Sequence, residues 1–146
     1  MTITFFGHSN TPQCIQVKLK NVLIDLIEKN NATLFYVGNN GNFDSMVRKT
    51  LKDLKLNYSH TNYTVVLAYI PYKQAKFDYT DYSDTMLPDN FENVPPKYAI
   101  IKLNRWMIEQ SDTVVTYVKH SVGGAAQFKA LAEKSGKWVI NLADSD

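Results

Sequence analysis

The chain has a single cysteine, Cys14, so it can build neither an internal disulfide nor a cysteine-based zinc site. That usage fits a reducing compartment. No run approaches the roughly 18 uninterrupted apolar residues of a membrane helix, and Met1, Thr2 and Ile3 carry no basic stretch ahead of an apolar one. The expectation is a cytoplasmic protein with no signal peptide and no membrane partner. A charge excess is missing too, since 16 Lys and Arg against 14 Asp and Glu leave a formal +2. With a pI of about 8.5, the chain falls short of the basic footprint, pI above about 9, expected of nucleic-acid binding. Nucleic acid is therefore not an expected partner. Internal repeats, low-complexity tracts and domain linkers are absent as well, and 45% hydrophobic with 21% charged residues excludes disordered and fibrous classes. The 146 residues make one domain, 1–146.

What is present is an alternation. Short β-branched or aromatic runs (Ile3 to Phe6, Thr33 to Val37, Tyr63 to Ile70, Thr113 to Val118, Lys137 to Leu142) are separated by segments with apolar residues at helical spacing. The helical sets are Ile15, Leu19, Val22, Leu23, Leu26, Ile27; Phe43, Val47, Leu51, Leu54; Ile100, Leu103, Met107; and Phe128, Leu131, Ala132. Strands separated by helices run parallel, and right-handed crossovers put helices on both faces. This predicts an α/β, Rossmann-like, doubly wound sheet of five parallel strands in the order 3-2-1-4-5. Asn10 or Thr11 before Pro12 reads as a helix N-cap, and Gly136 after Lys134 and Ser135 reads as a helix stop. Pro71 to Lys97 fits neither pattern. Its aromatics (Tyr72, Phe77, Tyr79, Tyr82, Phe91) argue for an ordered excursion, a lid or a subunit contact, packed over one end of the sheet.

In such a sheet, ligands bind beyond the carboxyl ends of the strands where the strand order reverses, here between strands 1 and 4. The loops expected there are Gly7-His8-Ser9-Asn10, Gly38-Asn39-Asn40-Gly41-Asn42-Phe43-Asp44, and Val118 through His120 and Ser121 to Gly123-Gly124. Each carries glycine and leads toward a helix N-terminus, where backbone N–H groups and the dipole favour an anion. The same residues are ordinary turn formers, so it is their coincidence at one cleft that points to a phosphate-bearing ligand. The spacing matches neither the dinucleotide GxGxxG fingerprint nor the P-loop. A dehydrogenase and a P-loop NTPase are disfavoured, and no cofactor is expected.

On the third helix, Arg105 and Glu109 share a face: they form either a surface ion pair or a forked anion donor with its orienting partner. His8 and His120 lie on cleft loops, as wall residues or as proton carriers. No spacing among His8, His120 and Asp44 reads as a metal site, and Asp78, Asp81 and Asp84 lack EF-hand spacing. No metal is expected. Cys14 sits beside a predicted helix start but has no base to activate it.

Phe5-Phe6-Gly7-His8, the Val37 to Asp44 loop, Asn104-Arg105-Trp106-Met107 and Ser121-Val122-Gly123-Gly124-Ala125-Ala126 together resemble the stand-alone SLOG family. These are small bacterial or phage-type Rossmann-like proteins related to the LOG phosphoribohydrolases and to the nucleotide-binding domain of DNA-processing protein A. The resemblance spans essentially the whole chain. It implies that the strand-2 loop (Gly38, Asn39, Asn40, Gly41, Asn42, Phe43) and the Gly123-Gly124 turn hold the phosphate and ribose of a nucleotide or nucleotide-derived, possibly cyclic, signal, and the reading of the cleft loops and the third helix adds Gly7, His8, Ser9, Arg105, His120 and Ser121. It also implies a homo-oligomer, as with many relatives. LOG enzymes carry a proline-glycine-glycine, glycine-threonine turn with a catalytic glutamate three residues later. Here Val122 stands for the proline, Ala126 and Gln127 for the glycine-threonine pair, and Ala130 for the glutamate. A sensor or sequestering protein is thus expected first. An N-glycosidase of nucleoside monophosphates would need Asp44 or Glu109 as its carboxylate, and an oligomeric interaction domain is the third reading.

Overall fold

The structure is a computed structural model that describes residues 1–39, 41–66, 85–86, 96–120 and 123–144. Ten elements follow in chain order: β1 (Thr2–Gly7), α1 (Ile15–Asn30), β2 (Leu34–Val37), α2 (Gly41–Asn57), β3 (Asn62–Val66), β4 (Thr85–Met86), α3 (Pro96–Gln110), β5 (Thr113–Tyr117), α4 (Gly124–Lys134) and β6 (Trp138–Asn141). All pairings are parallel, and the sheet order is β4-β3-β2-β1-β5-β6. The five expected strands thus stand in the expected order, with four helices. β4 is an addition at the edge, a two-residue strand against Val65 and Val66. It falls within Pro71 to Lys97, as does the start of α3 at Pro96; the aromatics of that segment lie outside the described residues.

The central strands are buried on both faces and read as near-continuous apolar runs for that reason. β5 is buried at all five positions. Alternate residues serve opposite cores: Ile3 and Phe5 pack with α1 and α2, whereas Phe6 packs with α3 and α4. Rings reinforce both layers, with Phe5 stacked on Phe35 at 6.2 Å and Phe6 on Phe128 at 5.5 Å. Buried hydroxyls find acceptors, as Thr4 does by donating to the Tyr36 carbonyl at 3.0 Å, so burial leaves them without a desolvation cost.

The helix ends correct one expectation and meet another. Thr11 does not cap α1: its hydroxyl donates to the His8 carbonyl at 2.6 Å, and α1 begins at Ile15 after a turn through Pro12 and Gln13. The helix stop at Gly136 is present, with φ at 77° and its N–H donated to the Glu133 carbonyl. Asp112 is structural: its side chain accepts the Thr2 N–H and its own N–H donates to the Thr2 carbonyl, both at 2.8 Å. No described helix is long and apolar enough to cross a membrane.

Candidate functional site

β1 and β5 lie side by side at the centre of the sheet, but the helices that follow them pack on opposite faces. The cleft in the structure opens at the carboxyl end of β1 on the face that α3 and α4 cover, and no β5 residue lines it.

Two glycines near it let backbone pass close to other groups, Gly7 on its lining and Gly41 outside it. A Cβ on Gly7 would stand 2.3 Å from Cγ of Phe43, and Phe43 is fully buried. Phe43 is consequently a core residue that locks α2 over β1, not a ligand contact. Gly41 has φ at 83°, and a Cβ there would meet Cα of Ser9 at 2.7 Å. The Asn42 N–H donates to the Ser9 carbonyl at 2.9 Å across the same contact. Gly7, Ser9, Gly41 and Asn42 thus join the β1 loop to the start of α2, and glycine there serves packing.

The cleft itself measures about 330 Å³. Phe6 and Gly7 form its base; Ile100, Leu103, Asn104 and Met107 of α3 line one wall; Gly124, Ala125, Gln127 and Phe128 of α4 line another. Gly38 and Asp44 close the side next to β2, where the Asp44 carboxylate folds against Gly38, its Oδ2 at 2.8 Å from where a Cβ would stand. At Gly123 and Gly124 the situation is reversed, since an added Cβ would meet nothing within 4 Å. The first internal bond of α4 runs from the Gln127 N–H to the Gly123 carbonyl. That leaves the amides of Gly124, Ala125 and Ala126 without an acceptor inside the helix. An open helix N-terminus at the mouth of an apolar cleft is suited to an anion attached to a flat apolar group.

The histidines meet each other outside the cleft lining. His8 stands between its neighbours: its Nε2 accepts the Lys119 N–H at 2.9 Å, and its ring lies 6.0 Å from Tyr117 and 5.3 Å from His120. Burial, and then the nearby His120, hold its pKa below the ordinary histidine value. With Nε2 already accepting a backbone N–H, His8 behaves as a wall residue. His120 is exposed beside a shallower groove of about 280 Å³ that Lys119, Lys129 and Glu133 also line.

The third-helix pair departs from expectation. Arg105 and Glu109 are both exposed, make no ion pair with each other, and do not line the cleft. Trp106 turns inward instead, its ring 5.2 Å from Tyr36. Asn39 is half-buried at the loop after β2, whereas Asn40 and Ser121 lie outside the described residues. Of the two carboxylates considered, Asp44 alone reaches the cleft. Among the described residues no three His, Cys, Asp or Glu side chains come together as a metal site.

Sequence reasoning missed the polar groups Asn104 and Gln127 and the apolar walls around them. Asn104 carried a usable signal, for it lies on the helical face of Ile100, Leu103 and Met107. It also missed Arg48, one turn beyond Asp44, whose Nε is buried without a hydrogen-bond partner. No family model matches the chain, and no curated protein matches it either.

Proposed function

We propose that the protein binds a nucleotide or nucleotide-derived signal in this cleft, as a sensor or sequestering protein of the SLOG type. The observation that carries the reading is the first turn of α4, where an added Cβ at Gly123 or Gly124 would meet nothing within 4 Å, the first-turn amides have no intrahelical acceptor, and Gly124 and Ala125 line an apolar cavity. A phosphate at that turn meets first-turn amides that the helix itself leaves without acceptors, and the positive end of the helix dipole. The apolar side chains of α3 and Phe128 then offer a surface for a base, and Asp44 is an acceptor for ribose hydroxyls. Such a site draws on backbone groups, in keeping with a net charge of only +2.

The test is thermal melting with nucleoside monophosphates, cyclic nucleotides and adenosine-diphosphate-ribose-type compounds. A ligand at about a hundred times its Kd stabilises by about 2.7 kcal/mol, equivalent to a rise of roughly 8 °C at this chain length. No rise with any of them refutes the reading.

A second reading, hydrolysis of the N-glycosidic bond, is favoured by the place of Asp44 on the cleft wall. A carboxylate there can stabilise an oxocarbenium-like transition state or activate water. Free base released by the wild type and lost in Asp44→Asn, with binding retained, supports hydrolysis; binding without release supports the sensor.

A further inference from the structure

The loops that leave β1 and β5 are joined through a ring nitrogen. His8 Nε2 accepts the Lys119 N–H at 2.9 Å, and an imidazole nitrogen accepts only while it carries no proton. The contact therefore exists in one charge state of His8. The neighbouring residue, Val118, is gripped by Asn141 of β6, which accepts its N–H at 2.9 Å and donates to its carbonyl at 3.0 Å. Lys119 is the next anchored residue before the chain reaches Gly123, whose φ of 110° admits it to α4.

The other end of the tether is rigid. The His8 N–H donates to the Tyr117 carbonyl at 3.3 Å, and the His8 carbonyl accepts from both the N–H and the hydroxyl of Thr11. The ring is thus positioned from β1 and β5, independently of the loop it holds.

We infer that neutral His8 is a positioning residue, tethering the β5–α4 connection to β1, and that protonation of its ring releases Lys119 and loosens the anion-binding first turn of α4.

The surroundings favour the neutral ring. On β5 the group facing it is Tyr117, edge-on. In the connection it faces His120, with the Lys119 side chain on the donor residue. From α2 the contact with this loop is made by uncharged Asn42, while Asp44 is turned against Gly38. His8 makes no hydrogen bond or ion pair with an acidic side chain among the described residues. An imidazolium there would lose the Lys119 bond and stand near another histidine, with no carboxylate bonded to it among the described residues.

The effect on ligand rests on the cleft reading above, whereas the tether is testable without any ligand. In nitrogen-15 spectra from about pH 8 to about pH 5, the Lys119 amide should move with the His8 ring resonances, at one shared midpoint below the ordinary histidine value of 6.5. Its exchange protection, corrected for the intrinsic rate, should fall on the order of tenfold in acid, the equivalent of one hydrogen bond. His8→Gln retains an uncharged acceptor and should abolish the step; His120→Gln should raise the midpoint. Cyclic adenosine monophosphate, whose phosphodiester keeps one charge over this range, is the binding probe. Its affinity should drop with the same midpoint in the wild type and stay level in His8→Gln. A Lys119 amide indifferent to His8 protonation overturns the tether, whatever binds. A titrating tether with pH-independent affinity overturns its link to the anion-binding turn. A titrating tether with no binding at any pH supports the tether and counts against the nucleotide reading.

Discussion

Gly7→Ala is the most severe single-methyl change the geometry predicts. The new Cβ would lie 2.3, 2.5 and 2.8 Å from Cγ, Cδ2 and Cβ of Phe43. Those atoms are near the base of a ring that is 0% exposed, so rotation about χ2 cannot relieve the overlap and α2 must shift against β1. Overpacking of this kind costs about 1–3 kcal/mol, and the rooted obstacle puts Gly7→Ala at the upper end. At this length that is a melting temperature lower by roughly 10 °C. Phe43→Ala removes Cγ and Cδ2, the two nearest atoms, and costs about 3–5 kcal/mol alone. A double-mutant cycle, measured by urea unfolding, should then show the pair less destabilised than the sum by roughly 1–2 kcal/mol. Additive losses, or a Gly7→Ala protein as stable as the wild type, would show that Gly7 and Phe43 are not packed as described.

Four other outcomes follow from the same contacts. Gly41→Ala, forced into left-handed φ against the Ser9 backbone, should lose about 2 kcal/mol or more in urea unfolding. Gly124→Ala meets nothing within 4 Å and has no positive φ, so its stability should stay within about 0.5 kcal/mol of wild type while calorimetry shows weakened nucleotide affinity. Arg48→Met removes a buried Nε that has no acceptor and should leave thermal stability unchanged or raised by up to about 1 kcal/mol; a loss larger than that would reveal a partner for the guanidinium. For pH, His8 has a lowered folded pKa, so the unfolded chain binds the proton more readily. Its contribution is complete above about 6.5 and is lost as pH falls through the lowered folded value, a decline that His8→Gln should remove from the stability profile.

Much of this architecture was legible because it rests on local periodicity. The β5 segment Thr113 to Tyr117 is wholly β-branched or aromatic and wholly buried, and the alternation of such runs with helical spacing leaves few topologies once crossovers must be right-handed. The edge strand Thr85–Met86 escaped because two residues have no period. At the candidate site, the glycines stand out in the sequence, but their purposes are tertiary. Gly7 and Gly41 serve close packing, whereas Gly123 and Gly124 border open space, and nothing local to any of these turns separates the two cases. The exposure of Arg105 was not legible for a related reason: helical spacing tells which residues share its face, but Trp106 packing onto Tyr36 decides which face turns inward. The His8 to Lys119 contact spans 111 positions, so only the folded chain reveals it.

The central claim is that the first turn of α4 receives the anionic group of a nucleotide. Backbone amide shifts during titration with nucleoside phosphates read that turn directly. The account predicts that the amides of Gly124, Ala125 and Ala126 move furthest, with Gly38 and Asp44 following as the cleft fills. Nucleotide binding that leaves those amides unmoved, or that shifts only residues away from the cleft, would contradict it.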